Sequence, residues 1–157
     1  MTDRSPILSH WRRLQSKPGG RWLFARAVCL RAPYFATIKP SVNRLEPGFC
    51  ETGLTKRRRL HNHIGTVHAI AMCNLAELAA GLMAEATVRP AWRWIPKSMT
   101  VAYRAKAETD LVARARPAET ARLDDGVNYD VEVSIIDTRD TEVMHATITL
   151  WITRATA

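Results

Sequence analysis

The feature that most constrains this fold is one long apolar segment near the middle of the chain. Between residues 67 and 84 its only polar side chains are His68, Asn74 and Glu77. A helix that is apolar on every side has to be covered on every side, so the segment predicts a buried helix over about residues 66–84, capped by Thr66. A membrane span is disfavoured because a central carboxylate costs roughly 2.5–3.5 kcal/mol there. The position of Glu77 therefore needs a chemical reason.

The C-terminal half of the chain has the pattern of antiparallel strands. Apolar and polar residues alternate with a period of two in four segments separated by turn-forming residues, at 98–107, 110–117, 127–137 and 142–153. Residues 41–54 are also extended, with a turn at Pro47–Gly48. One long buried helix followed by such strands predicts an α+β protein in which a curved antiparallel sheet wraps around a central helix. That is the architecture of the hotdog fold.

Two amphipathic helices are predicted before this core. The first begins after Ser5–Pro6, with apolar Ile7, Leu8, Trp11 and Leu14 at helical spacing. The second follows the break at residues 18–20, and its predicted apolar set is Trp22, Leu23, Ala27 and Leu30. Both are basic, so they either pack as a lid over the domain, which is favoured, or lie on a membrane surface. The 157 residues suit one domain, divided into a helical extension over 1–32 and a hotdog core over 33–157.

Charge is distributed unevenly along the chain. Residues 1–60 contain 13 Lys or Arg against 3 Asp or Glu, whereas residues 61–157 contain 10 against 12. Such a basic half suits nucleic acid, a membrane surface, or a phosphorylated ligand such as coenzyme A. No fold-specific nucleic-acid motif accompanies it, so no nucleic-acid partner is expected. Three scattered cysteines favour a reducing compartment. The charged N-terminus does not have the continuous apolar run of a signal peptide, so a cytoplasmic location is expected.

Residues 62–77, with the sequence NHIGTVHAIAMCNLAE, resemble the signature of hotdog-fold acyl-CoA thioesterases of the phenylacetate-degradation type. That signature has Asn, Gly three residues later, then His-Gly, and an acidic residue nine positions after the His. The matching positions here are Asn62, Gly65, His68, Ala69 and Glu77. A longer pattern with PYF, LEPG and LAELAAG is similar to an uncharacterised, thioesterase-like branch of that superfamily. The resemblance extends over about residues 33–153.

Two positions depart from that signature. Ala69 stands where relatives have Gly, and Gly81 stands where a Ser or Thr one turn after the acid helps to hold a water or the carboxylate. Some relatives place a hydroxyl on the following strand, and only Ser98 could supply it here. These departures leave a second interpretation open. In it, a hotdog protein binds acyl thioesters, or regulates through them, without hydrolysing them.

The resemblance also implies roles for the matching residues. Thioester hydrolysis needs donors aimed at the developing oxyanion, and a carboxylate that acts as base toward water or as nucleophile. Glu77 would be that carboxylate, unless it is a structural group paired with an arginine. The Ala69 N–H and the Asn62 side chain would be donors, although Asn62 could instead bridge the turn before the helix. His68 is expected to orient the helix start rather than to act as a base, with Gly65 and Gly81 bordering the substrate.

Helix geometry indicates how such a site would be assembled. Ala69 and Glu77 are eight residues apart, which is about 12 Å along one helix, so one carbonyl cannot contact both. The site is complete only if the helix of a second copy lies antiparallel alongside. The resemblance implies the same homodimer, or a dimer of dimers, with acyl-CoA as substrate. No cofactor is expected, since coenzyme A enters as part of the substrate.

A basic run and a pair of histidines precede the helix. If residues 56–59 are extended, Arg57 and Arg59 share one face, where they would hold the phosphates of coenzyme A or guard an edge strand. His61 and His63, two apart on a strand, would also share a face. They lack a third ligand in the sequence, so no metal site is expected. Residues 61–63 read HNH, but the metal-binding and phosphate-binding residues that would accompany this motif in a nuclease are not found around them.

Overall fold

The computed structural model describes residues 5–155, so the two ends of the predicted 1–157 domain lie outside the described residues. Six strands form one antiparallel sheet in the order β1-β2-β4-β5-β6-β3. The strands are β1 (Ser41–Glu46), β2 (Phe49–Leu54), β3 (Trp92–Tyr103), β4 (Leu111–Pro117), β5 (Val127–Asp137) and β6 (Glu142–Arg154). The predicted α+β architecture with a sheet curved around a central helix is confirmed.

The central helix α3 (Ala69–Thr87) lies across the sheet and contacts β2, β4 and β5 most closely. Small side chains at its contact face allow the helix axis to approach the strands. Ala76, Ala79 and Ala84 are fully buried there. By length and composition α3 is apolar enough to cross a membrane, yet 67% of its most apolar stretch is buried inside the fold. It is the core helix of this domain.

The start of α3 differs from the prediction. The helix was predicted from residue 66 with Thr66 as its cap, but it begins at Ala69 and His68 is the N-cap residue. Thr66 is held in a closed loop, where its N–H and hydroxyl both bond to the Asn62 side chain. At the other end Thr87 bonds to the Met83 carbonyl oxygen at 2.6 Å, and Pro90 prevents continuation.

Two helices precede the sheet, α1 (Pro6–Leu14) and α2 (Gly20–Arg31). In α1, Leu8 and Trp11 are buried as the helical spacing predicts. The predicted face of α2 is wrong. Its buried side chains are Phe24, Ala25 and Cys29, whereas the predicted set of Trp22, Leu23, Ala27 and Leu30 is exposed. The helix has large apolar residues all round, so its sequence does not define one face, and the packing of Phe24 edge-on against Trp11 decides it.

Short 3-10 helices replace two segments of expected extended chain or loop. The first, η1 (Pro33–Ile38), connects α2 to β1, and the second, η2 (Arg58–Leu60), precedes α3. The prediction of an extended run at residues 56–59 is therefore wrong. The Lys56 N–H bonds to the Asp110 carboxylate at 2.7 Å, and this contact with a distant loop ends the extension of β2.

Candidate active site

One stripe of α3 is uncovered, and it contains the carboxylate that the sequence singles out. This open stripe consists of Ile70, Cys73, Glu77, Gly81 and Glu85, three or four residues apart. The Glu77 side chain is exposed, so its expected burial is not provided by one chain. Within residues 5–155 no Lys or Arg forms an ion pair with Glu77. The alternative of a structural carboxylate paired with arginine is not realised in the single chain.

The N-terminus of α3 provides backbone donors near the other end of the open stripe. His68 accepts the Ile70 N–H through Nδ1 at 3.1 Å, so its side chain caps the first turn of α3. The half-buried Ala69 is the first helical residue, and its N–H has no acceptor among the described residues. Unpaired N–H groups and the helix dipole together favour negative charge at this point. The site role of His68 and Ala69 stays a prediction.

The loop before the helix is closed by Asn62. Its Nδ2 donates to the Thr66 hydroxyl at 2.8 Å, and its Oδ1 accepts the N–H groups of Ile64 and Thr66 at 3.1 Å each. Gly65 has a φ of +80°, a left-handed conformation that favours glycine and turns the chain toward α3. Asn62 therefore bridges the turn, while the second hydrogen of Nδ2 stays available for a ligand. The site roles of Asn62 and Gly65 remain predictions.

A groove of about 240 Å³ lies at this helix start. The residues that line it include Tyr34 and Thr37 of η1, Arg59 and His68. The buried Asn74 also lines the groove, and its Nδ2 donates to the Thr37 hydroxyl at 3.2 Å. The groove thus combines an exposed cation with a helix N-terminus, an arrangement suited to an anionic group.

Arg57 does not share this groove. Its guanidinium donates to the carbonyl oxygens of Ile38 and Lys39 at 3.0 and 3.3 Å, which ties the chain before η2 to the end of η1. The expected pairing of Arg57 with Arg59 on one strand face is wrong because the segment turns into a 3-10 helix. Only Arg59 of these two borders the groove.

The far end of the open stripe is shaped by Trp94. Its indole Cη2 atom lies 3.2 Å from where a Cβ on Gly81 would be, so the ring occupies the space that a larger residue at 81 would need. Ser98 does not restore the missing hydroxyl within one chain. It pairs opposite Thr149, whose neighbours Ile148 and Leu150 are buried in the core. Ser98 therefore lies on the outer face of the sheet, away from α3, and the expectation for it is corrected.

Sequence reasoning missed several residues around this stripe. The Tyr103 hydroxyl at the end of β3 lies 3.6 Å from the Cys73 Sγ on α3, and this hydrogen bond raises the pKa of Tyr103. Asn74 was visible as a polar residue in an apolar helix, but nothing in the sequence linked it to Thr37. These contacts join segments that are about 30 residues or more apart, so no local pattern could reveal them.

The histidine pair is not in a strand. His61 forms an isolated bridge with Val67, and His63 lies exposed in the turn that follows. Their expected common face is therefore wrong. In the described part of the chain, no group of three or more His, Cys, Asp and Glu side chains is arranged to hold a metal ion.

Comparison with known families assigns the chain. Residues 20–152 match a family described as a domain of unknown function, DUF4442. The chain belongs to the DUF4442 family. The match spans α2, η1, the sheet and α3, so this DUF4442 domain includes every residue of the open stripe and the groove. No curated protein matches it in sequence.

Solved structures show the same fold. The structural-genomics target APC5556 is 40% identical to this DUF4442 protein, with a TM-score of 0.82 over 95% of this chain and 98% of that one. A thioesterase family protein from Silicibacter pomeroyi is 21% identical, with a TM-score of 0.70 over 83% and 96% of the two chains. Thioesterase HI1161 from Haemophilus influenzae is 13% identical, with a TM-score of 0.68 over 77% and 82%. The predicted hotdog fold is confirmed.

Proposed function

We propose that the protein hydrolyses acyl-CoA thioesters, with Glu77 as the general base or nucleophile. The observation that carries this proposal is the position of Glu77, an unpaired exposed carboxylate midway along the open stripe of an otherwise buried helix. The carboxylate is solvated in one chain, but a second helix laid against the open stripe would bury it, which is costly unless it meets water or substrate there. The hotdog fold shared with thioesterases supports this chemistry.

The hydrolytic step uses Glu77, midway along the stripe, and the N-terminus of α3. As a base, Glu77 removes a proton from water, the resulting hydroxide attacks the thioester carbonyl carbon, and the carbon–sulfur bond breaks to release the thiol and a carboxylic acid. As a nucleophile, Glu77 attacks the carbonyl carbon, and the carbon–sulfur bond breaks to release the thiolate, which takes a proton from water. Water then hydrolyses the resulting mixed anhydride to the carboxylic acid and frees Glu77. In either route the Ala69 N–H at the N-terminus of α3 stabilises the negative oxygen that forms.

Both groups reach one carbonyl only in an assembly of two chains. Within α3 the Ala69 N–H and the Glu77 carboxylate are about 12 Å apart along the axis. The outermost strand β3 is 12 residues long, and in the described part of the chain it pairs only with β6. Pairing of two β3 edges around a two-fold axis would bring two antiparallel α3 helices together. Each dimer would then have two equivalent sites.

The groove at the start of α3 supports coenzyme A as the thiol. Its exposed Arg59 and the unpaired N–H groups of the helix suit a phosphate or pyrophosphate, which a simple acyl thioester lacks. Substrate contacts at Gly65 and Gly81 belong to the same proposal. No cofactor is required, because water is the second reactant.

The test is release of free thiol from a set of short, long and aromatic acyl-CoAs by the purified protein. Glu77→Gln should lower kcat by about 10²–10⁴-fold, since it removes the base but keeps the size of the side chain. Glu85→Gln is the matched control, because Glu85 is an exposed glutamate two turns further along the same stripe. Unchanged kcat in a folded Glu77→Gln protein would remove Glu77 from the mechanism.

The assembly is tested separately by light scattering at the assay concentration. We expect at least a dimer, and we expect Val101→Pro in β3 to reduce both the mass and the activity, because the Val101 N–H faces away from β6 and proline removes this donor from the free edge. A monomer that hydrolyses acyl-CoA at the wild-type rate would contradict a site shared between two chains.

One observation favours a second function, non-catalytic binding of acyl thioesters. Trp94 fills the space beside Gly81, so the hydroxyl that would help hold a water or the acid is replaced by an indole ring. A binding or regulatory protein would bind acyl-CoA in equilibrium dialysis and release no thiol. Such a result, with Glu77→Gln binding as tightly as wild type, would favour this second function over hydrolysis.

A further inference from the structure

The N-terminal helices present an apolar face that nothing in the described chain covers. Trp22 and Tyr34 are each 68% exposed, Leu23 is 51% exposed, and Leu30 is 83% exposed. Single exposed apolar residues are ordinary, but a contiguous group on one element marks an interaction surface. These four residues are called the α2 face below.

The α2 face is continuous along the chain. Trp22 and Leu30 are eight residues apart, which places them on one side of the helix, and Tyr34 follows four residues later in η1. The opposite side of α2 is occupied by Phe24, Ala25 and Cys29, which pack inward. The helix is therefore anchored to the domain by one side and leaves the other side free.

The charge around the α2 face has one sign. Residues 5–45 contain eight Lys or Arg and no Asp or Glu. Seven of these cations are exposed, and within residues 5–155 only Arg44 forms an ion pair, with Glu46. The exposed cations are Arg12, Arg13, Lys17, Arg21, Arg31, Lys39 and Arg44. The part of the chain that contains the α2 face thus combines large exposed apolar side chains with exposed cations, of which all but Arg44 form no ion pair within residues 5–155.

We propose that the α2 face docks the protein on the surface of an anionic phospholipid bilayer. Trp and Tyr favour the boundary between headgroups and acyl chains, Leu inserts below it, and neighbouring Lys and Arg meet lipid phosphates. A second copy of this chain is a poorer occupant. A two-fold contact through this face would bring two identical cationic surfaces together without a carboxylate between them.

The docked orientation has a geometric consequence. Tyr34 belongs both to the α2 face and to the groove at the start of α3, and Thr37 borders that groove from the same 3-10 helix. A protein docked through α2 and η1 would therefore hold this groove beside the lipid headgroups. The docking itself does not depend on the proposed hydrolysis, and its test uses no activity measurement.

The test is cosedimentation of the full chain with sucrose-loaded vesicles. One set consists of phosphatidylcholine alone, and the other contains about one-third phosphatidylglycerol. We expect binding to the anionic vesicles, little binding to the neutral ones, and a loss of binding as salt is raised. The double variant Trp22→Ser with Leu30→Ser should weaken binding by at least about tenfold. Arg31→Glu should weaken it by about tenfold.

Matched controls separate this face from general charge and hydrophobicity. Leu123→Ser changes an exposed leucine elsewhere, and Lys106→Glu reverses an exposed cation outside the N-terminal helices. Both should bind as wild type does. Equal weakening by the face variants and by the controls would overturn the proposal. Absence of vesicle binding, together with a self-association that Leu30→Ser abolishes, would also overturn it and assign the face to a second copy.

Discussion

The two sides of α3 differ in burial. The side toward the sheet is buried, whereas the open stripe is exposed. On the sheet side Leu75, Ala76 and Ala79 are fully buried and pack in the core. On the open stripe Ile70 is 57% exposed and Glu77 is exposed as well, so neither is needed to fill the core. If the proposed function is correct, folding and chemistry depend on opposite sides of one helix. Substitutions should therefore separate them.

The largest expected effect is on the sheet side. Leu75→Ala removes a fully buried side chain and should lower the free energy of unfolding by about 2–5 kcal/mol, because the surrounding core cannot close the cavity. Ile70→Ala, on the open stripe, should cost less than about 1 kcal/mol. Urea unfolding followed by circular dichroism measures both. Similar losses for the two variants would show that the open stripe is also required for folding.

Gly81 lies on the open stripe beside Trp94. A substitution there should change activity much more than stability. In Gly81→Ala the new Cβ would lie 3.2 Å from the Trp94 ring, so the ring has to move. The gain in helix propensity of about 1 kcal/mol offsets that contact, and the net change in unfolding free energy should stay within about 1 kcal/mol. Hydrolysis should nevertheless fall by about tenfold or more, since displacement near a reacting group is costly.

A matched variant isolates the missing hydroxyl. Gly81→Ser adds the same Cβ as Gly81→Ala and, in addition, the hydroxyl that relatives have there. Faster thiol release by the serine variant than by the alanine variant would show that the hydroxyl helps hold the water. Wild-type rates and unchanged tryptophan fluorescence in both variants would contradict the role given to Trp94.

A smaller effect is expected in the groove. Arg59→Ala should raise KM for acyl-CoA several-fold. The effect is small because a contact between an exposed arginine and a phosphate is weak and screened by salt. Arg58→Ala is the control, because Arg58 is an exposed arginine of the same 3-10 helix that does not border the groove. An acyl-pantetheine substrate lacks the adenosine phosphates and should not respond to either change. Equal KM changes for the two substrates would exclude a phosphate contact.

The smallest expected effect is on the free energy of unfolding, and it comes from His145 on the outer face of the sheet. Hydrogen bonds from His145 to Glu142 and then to Glu132, at 2.9 and 2.7 Å, raise the pKa of the imidazole. The charged ring therefore stabilises the fold below the unfolded-state pKa of about 6.5, and this contribution is lost as the pH rises through the higher folded-state pKa. It should amount to less than about 1 kcal/mol at this partly exposed site.

The pH dependence is measured as the melting temperature of wild type and His145→Gln across that range. The difference between the two proteins should be largest at low pH and should disappear above the folded-state pKa. A difference that grows with pH would contradict the assignment of the charged form.

Sequence alone predicts the elements whose pattern is unambiguous. Strict alternation locates β4, β5 and β6, and the long run of almost uninterrupted apolar residues locates α3. The start of α3 was misplaced because Asn62 closes a loop around Thr66, and such a loop has the same local composition as a helix cap. The face of α2 was wrong because Phe24, Trp22 and Leu30 are equally apolar, and only the contact with Trp11 selects among them.

The candidate site shows the same limit. The motif places Glu77, Ala69 and His68 on one helix, since their spacing is local. Arg57 and Arg59 were assigned to one face by assuming a strand, but the carbonyl oxygens of Ile38 and Lys39 hold Arg57 apart. Contacts between distant segments, such as Trp94 beside Gly81, have no trace in the local pattern.

The contact between Trp94 and Gly81 also limits how this branch can change. The Cβ of a serine or threonine at 81 would lie 3.2 Å from the Trp94 ring. A single substitution therefore cannot add the hydroxyl without displacing that ring. A smaller residue at 94 would first have to leave a void beside the glycine. The two positions are therefore coupled, and the order of substitutions matters. A residue smaller than tryptophan at 94 would give a hydroxyl at 81 room, so the stability of the double variant should differ from the sum of the two single changes.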